Sequence, residues 1–259
     1  MAHSFCIITN SQNDKLRDMS REFFPSHVEV IDFNGKDGLY GFEFLMAMMK
    51  DERLLKYTHA IYIDNDCFVV SWEQVEYTFK RFIINSYCFA GMPDGGTISH
   101  RISSDELPNL FFMFFDLEQM RMVWDEDAIR STSVNMEVRN AYKNRDGYKR
   151  IDIVRSEGFV PFSIGVGYNE PYYKIFSFLK SKGLAYMGLD AEDAPQVDDD
   201  GACTALMGLD YGQDDLIMCY HSWFAREYGK DKYHTDRINR VYEYAKSCLH
   251  KPIGEQGQI

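Results

Sequence analysis

The sequence predicts an α/β domain with a mostly parallel central sheet flanked by helices, and three observations carry that expectation. Phe5–Ile8, Val28–Ile31 and Ala60–Ile63 are short continuous apolar runs, the pattern of strands buried on both faces. Segments of helical spacing separate them, giving the β-α-β-α-β order that folds into parallel strands with right-handed crossovers. The third run ends in Asp64-Asn65-Asp66, and ligands of open α/β sheets gather at such carboxyl ends.

In chain order, the first strand ends at Thr9-Asn10-Ser11, and a helix is expected from about Asp14 to Phe23, stopped by Pro25. The second strand ends at Asp32-Phe33-Asn34-Gly35, and Tyr40, Phe44 and Met48 then recur at helical spacing. After the Asp pair, Ser71-Trp72-Glu73-Gln74 forms a capping box. Trp72, Val75, Phe79 and Phe82 give its helix one apolar stripe. Tyr87–Ala90 reads as a strand that runs into a loop around Pro93-Asp94. Asn109–Phe115 is the most apolar run, and Asp116 after it suits a helix N-cap.

Residues from about 117 to 150 are charged and less patterned, with a short strand expected at Arg150–Val154. Tyr172, Ile175, Phe176 and Leu179 mark a helix that Gly183 ends, and Leu184–Leu189 is a strand. The six acids between Asp190 and Asp200 read as a solvated loop. Leu216–Tyr220 is a strand delivering His221. Thr235 is expected to cap a last helix with Ile238, Val241, Ala245 and Leu249 inward, before a frayed tail at 251–259. One domain over 1–250 accounts for the chain.

Composition narrows the function. The formal net charge is −12, which argues against nucleic-acid binding, because phosphate neutralisation needs clustered Lys and Arg. The first βα loop lacks Gly-x-Gly-x-x-Gly, so a dinucleotide-binding reading has little support. Six cysteines are scattered without Cys-x-x-Cys spacing and read as free thiols in a reducing compartment. No signal peptide or membrane span is expected, which points to a cytoplasmic protein.

Asp64 and Asp66 are the candidate chemical centre. In an extended chain, residues i and i+2 face the same side, so the two carboxylates converge and repel unless a proton or cation lies between them. Mg²⁺ or Mn²⁺ suits such oxygen ligands and often shares them with substrate phosphates. The plainer alternative has Asp64 capping a turn and Asp66 solvated.

"YIDNDCFV" at 62–69 resembles the "YLDADxxV" form of glycogenin-like enzymes, within the Asp-x-Asp glycosyltransferases of the GT-A fold. Asn109–Asp116 resembles that group's N-x-G-x-x-x-x-D strand, with Phe111 in place of the Gly. The resemblance implies transfer of a sugar from a nucleotide-sugar, by default a UDP-sugar, to a carbohydrate or other acceptor, with Mn²⁺ or Mg²⁺ as cofactor. Asp66 would hold the metal, Asp64 the metal or ribose, and His221 would be a third ligand from a late strand. Thr9, Asn10 and Asp32 would hold base and ribose, Asp94 would lie near the donor sugar, and Arg226 would meet the diphosphate. Asp214 and Asp215 would supply a base or a sugar contact, and Asp116 a substrate contact. Residues 117–168 would form an acceptor-side excursion, with Trp223, Tyr168 and Tyr172 as stacking aromatics. Two rival readings are a haloacid-dehalogenase-like phosphohydrolase, whose motif normally continues Gly-Thr where Cys67-Phe68 stand here, and a GT-A-like binding protein without turnover.

Overall fold

The computed structural model describes residues 4–95, 97–98, 101, 104, 106–134, 154–155, 158–159, 170–198, 203–209 and 217–249. The chain opens with β1 (Phe5–Ser11), α1 (Asp14–Arg21), β2 (Val30–Asn34), α2 (Gly41–Lys50), β3 (His59–Ile63) and β4 (Cys67–Val69). Next come α3 (Trp72–Ile84), β5 (Phe89–Pro93), β6 (Pro108–Asp116), α4 (Leu117–Val123) and α5 (Glu126–Ser131). A short hairpin of β7 (Val154–Arg155) and β8 (Gly158–Phe159) precedes α6 (Tyr173–Ser181) and β9 (Tyr186–Gly188). The chain closes with β10 (Ala191–Asp193), β11 (Thr204–Met207), β12 (Ile217–His221) and α7 (Lys232–Cys248).

The main sheet has six strands in the order β2-β1-β3-β6-β5-β9. All run one way except β6, which pairs antiparallel with both β3 and β5. The sheet is therefore mixed, though mostly parallel. The described residues between β5 and β6 contain no crossover helix, and adjacent strands joined without a crossover must run antiparallel.

Side chains alternate across this sheet with the two-residue period of extended chain. Ile7, Ile61, Ile63, Phe112 and Phe114 pack on one side against Leu16 of α1, Phe79 and Phe82 of α3, and Ile238 and Val241 of α7. Ile8, Ala60, Tyr62, Met113 and Phe115 pack on the other against Phe44 of α2, Met120 of α4 and Phe176 of α6. Burial on both faces is why these strands read as continuous apolar runs. Each fully buried Phe contributes roughly 1.5–3 kcal/mol of transfer free energy, so the aromatic-rich sequence stabilises mainly this double core.

A second, antiparallel sheet, β10-β11-β12-β4, packs on the α3/α7 side. The sequence did not suggest it, because β4 follows β3 after only three residues. The acid run is also not simply a solvated loop. Ala191, Ala194 and Val197 punctuate it and are buried, and Asp198 is buried against Arg237; Asp199 and Asp200 lie outside the described residues.

The last helix begins a turn earlier than expected. Asp231 caps it, accepting from the His234 N–H at 2.8 Å, while the Thr235 hydroxyl oxygen accepts from the Gly229 N–H. Leu249, expected inward, is 43% exposed because it falls just past the helix end. The second strand starts at Val30 rather than Val28, whose N–H turns back to the Pro25 carbonyl. Ser71 does cap α3, accepting from Gln74 N–H at 3.3 Å. Of the 117–168 excursion, residues 135–153, 156–157 and 160–168 lie outside the described residues, as does the tail at 251–259. No helix among the described residues is long and apolar enough to cross a membrane.

All six cysteines are buried and none is in a disulfide. Burial pushes the Cys6 and Cys88 thiols up to about 12, so they stay protonated and unreactive at neutral pH. Unreduced protein is therefore expected to titrate for six thiols once denatured. A reproducible count of four or fewer, with oxidation during purification excluded, contradicts this arrangement.

Candidate metal centre

β3 is buried along its whole length and delivers Asp64 at its carboxyl end. The Asp64 N–H continues the ladder by donating to the Phe111 carbonyl at 2.8 Å. The chain then turns sharply, with Cys67 N–H on the Asp64 carbonyl at 3.1 Å and Asn65 N–H on Asp64 Oδ1 at 2.7 Å. The Asp-x-Asp segment is thus a tight turn and not the extended stretch expected. The turn itself brings the carboxylates together and leads directly into β4.

β4 pairs antiparallel with β12, which sets His221 opposite Cys67, one residue beyond Asp66. His221 Nε2 lies 3.1 Å from Asp66 Oδ1. Ser222 donates through its N–H to the Asp66 carbonyl at 3.0 Å and through its hydroxyl to Asp66 Oδ2 at 3.3 Å. One candidate ligand atom each from Asp64, Asp66 and His221 lies within 4.8 Å of the others. The late histidine reaches the Asp pair through this second sheet, not by ending on the same edge of the main sheet.

Two aromatic rings fix the imidazole. Phe111 stacks flat on His221, with centroids 4.3 Å apart and an interplanar angle of 2°. Trp223 lies 4.2 Å away on a tilt. Phe111 stands where the resembling family has Gly, and its ring is what walls the histidine here.

The electrostatics separate the two acids. Burial, then the charge of Asp66, push Asp64 well above the usual carboxylate range, against a hydrogen bond from Asn65 and the charge of Arg226. Burial acts upward on Asp66 as well. It is outweighed by the charge and hydrogen bond of His221, the charge of Arg237 and the Ser222 hydroxyl, and Asp66 stays below the usual range. Without a cation the negative charge is therefore easier to place on Asp66 than on Asp64, since like carboxylates this close cannot both ionise cheaply. Two carboxylate oxygens and an imidazole suit a divalent cation, and the nitrogen ligand favours Mn²⁺ over Mg²⁺. His221 Nδ1 is buried without a hydrogen-bond partner.

The nearby ends of β1 and β2 are polar. Thr9, Asn10 and Ser11 are buried, and their Oγ1, Oδ1 and Oγ atoms make no hydrogen bonds. Asn10 Nδ2 donates to the Leu39 carbonyl at 2.5 Å, which leaves Oδ1 as an acceptor. A Cβ on Gly35 would sit 2.6 Å from that oxygen, so glycine makes the approach possible. Asp32, register partner of Thr9, is held by an ion pair from Arg21. β1 runs parallel to β3, so these residues share the carboxyl edge with Asp64.

Other expected site residues fare differently. Asp94 is fully buried and its oxygens are taken: Oδ1 by Arg101 Nε at 2.5 Å and Asn109 Nδ2 at 2.7 Å, Oδ2 by Arg101 Nη2 at 2.6 Å and the Tyr173 hydroxyl. It holds Arg101, whose guanidinium lies 5.3 Å from the Trp223 ring. Asp116 lies at the opposite edge of the sheet, in register with His59, and caps α4 by accepting from Gln119 N–H at 2.9 Å. Because β6 runs against β3, its end cannot reach the Asp64 edge. Tyr172 is buried, its hydroxyl 3.5 Å from Asp94, and so offers no stacking face. Arg226 is exposed in the turn after β12. Asp214, Asp215 and Tyr168 lie outside the described residues.

Sequence reasoning missed Ser222, Arg101 and the Asp198–Arg237 pair. Ser222 had a usable signal in its position directly after His221. Arg101 and Arg237 had none, since each acts through a partner distant in the chain.

The chain matches no family model and no curated protein. Among solved structures it is similar to A197 from STIV, at 13% identity over 48% of this chain and 70% of that one, with a TM-score of 0.30. It is also similar to a glycosyltransferase involved in the glycosylation of the major capsid of PBCV-1, at 11% identity over 67% of this chain and 98% of that one, with a TM-score of 0.32. At scores this low neither likeness carries an argument about function. What remains is a mixed α/β protein with an Asp-Asp-His cluster at the carboxyl edge of its sheet.

Asp66→Ala is expected to abolish Mn²⁺ binding by calorimetry while the circular dichroism spectrum is unchanged. Undiminished affinity in that variant would remove Asp66 from the ligand set. Because Asp64 keeps its proton above the usual carboxylate range, a cation must displace that proton to bind. Mn²⁺ affinity should therefore rise as pH rises through the Asp64 titration and then level off, with proton release visible across buffers of different ionisation enthalpy. Affinity that stays flat through the acidic range contradicts the assignment.

Proposed function

We propose that this protein is a metal-dependent glycosyltransferase of the GT-A fold, moving a sugar from a nucleotide-sugar, with a UDP-sugar as donor, to a carbohydrate or other acceptor. The observation that carries the reading is the Asp64–Asp66–His221 cluster. It lies at the same sheet edge as the unpartnered polar side chains of Thr9, Asn10 and Ser11.

Asp64, Asp66 and His221 would hold Mn²⁺ or Mg²⁺. When bound, the cation supplies charge stabilisation for the diphosphate that leaves the sugar. The chain's own residues prepare the site for it. Ser222 and the His221 ring orient Asp66, and Phe111 and Trp223 keep the imidazole from rotating. Thr9, Asn10 and Ser11 offer hydrogen-bonding groups for base and ribose, and Asp32 a carboxylate oxygen without a partner. Arg226, exposed beside the centre, would pair with the diphosphate, and a guanidinium does so bidentately. Asp214 and Asp215 stay proposed for the base or a sugar contact. The phosphohydrolase alternative is disfavoured by Cys67-Phe68, which stand where its motif normally continues Gly-Thr.

A thermal-shift screen of nucleotide-sugars with and without Mn²⁺ tests the reading. A UDP-sugar should raise the melting temperature only with Mn²⁺ present. Saturation at a hundred times Kd stabilises by about 2.7 kcal/mol. Phosphate release from p-nitrophenyl phosphate, with no response to any nucleotide-sugar, would favour the phosphohydrolase. Tight UDP-sugar binding with neither hydrolysis nor transfer would favour a binding protein.

A further inference from the structure

β12 does not stop at the histidine. Ser222 follows, and then Trp223 and Phe224 both adopt left-handed backbone, with φ of 61° and 64°. Two consecutive bulky residues in that region are unfavourable, so neighbouring structure must hold them there. The turn lies immediately behind the two residues that grip Asp66.

What holds it comes mainly from α7. Arg237 is fully buried. Its Nη2 donates to the Trp223 carbonyl at 2.7 Å, and its Nη1 meets Asp198 Oδ2 at 3.0 Å. Its guanidinium also lies 5.5 Å from the Phe224 ring centre. Asp198 is itself fully enclosed and faces Arg240 at 3.7 Å on its other oxygen. The Trp223 indole is pinned separately, with Nε1 donating to Thr204 Oγ1 at 2.8 Å. Phe224 stacks on His234 at 4.7 Å. A buried guanidinium is costly unless paired, and here one edge goes to Asp198 and the other to the backbone of the strained turn. Only a planar fork reaches both partners at once.

We propose that Arg237, oriented by Asp198, is a positioning residue for the metal centre: it clamps the left-handed Trp223–Phe224 turn and so keeps His221 and Ser222 on Asp66. The proposal rests on the reading of Asp64, Asp66 and His221 as metal ligands. Arg237 touches none of the three, and its hydrogen bonds reach Asp198 and the turn.

Arg237→Met alone leaves the buried Asp198 carboxylate with only the 3.7 Å contact to Arg240 and is expected to lower stability, which any structural pair would do. The deciding variant is Arg237→Met combined with Asp198→Leu, which removes both buried charges and is expected to restore folding. Two properties are read on the folded protein: the imidazole nitrogen NMR signals of His221 without metal, assigned against His221→Gln, and the Mn²⁺ affinity by calorimetry. The double variant should melt close to wild type, yet show shifted or broadened His221 signals and an Mn²⁺ Kd raised about 10- to 100-fold. Should it fail to fold, Arg237→Lys decides by the same readouts, since a single ammonium cannot span Asp198 and the Trp223 carbonyl as the fork does. Wild-type His221 signals in the deciding variant overturn the proposal, whatever the melting temperature. If wild-type protein takes up no Mn²⁺, the metal reading falls by itself, and the His221 signals alone then settle the positioning role.

Discussion

Two carboxylates held side by side in a buried turn are the constraint on which the rest of the site depends. Asp64, half-buried, and Asp66, fully buried, sit at the end of a strand enclosed by two cores, so water screens their repulsion less than it would at the surface. The fold resolves the conflict by treating the two acids differently. Asp66 receives an imidazole and a serine, while burial and the charge of Asp66 push the Asp64 carboxyl towards its protonated form. A divalent cation would replace that proton and satisfy both at once.

The second sheet makes this possible. β4 is only three residues long, yet it follows the Asp turn at once and is the strand to which β12 pairs. The backbone ladder therefore sets where His221 arrives, and the side chain needs no long reach. Phe111 extends the same logic from the main sheet. It belongs to β6, its carbonyl receives the Asp64 N–H, and its ring lies on the imidazole. One residue thus links the Asp turn to the histidine from the opposite side. α7 closes the arrangement through Arg237, which ties the turn after β12 to the buried end of the acid run.

Much of the main sheet was readable because burial on both faces leaves a mark in a single sequence. β1, β3 and β6 appear as apolar runs, and α3 appears through its capping serine and its stripe. The direction of β6 was not readable, since periodicity says nothing about which way a strand runs. Its reversal is also why Asp116, an acid after an apolar strand just like Asp64, ends up capping a helix at the far edge. Asp94 was expected in a loop beyond Ala90, whereas β5 continues to Pro93 and the full set of partners on Asp94 turns it from a candidate contact into the anchor of Arg101.

By itself the sequence determined the α/β class, the Asp pair at a strand end and the strand that presents His221, because all three follow from local hydrophobic pattern. Only the tertiary structure decided that His221 meets Asp66, that Ser222 and Phe111 join them, and that Asp198 lies buried rather than in a solvated run. Those contacts join positions far apart in the chain, through strand pairing and buried charge. The free energy that selects them depends on which groups lose water together, and no window of neighbouring residues contains that information.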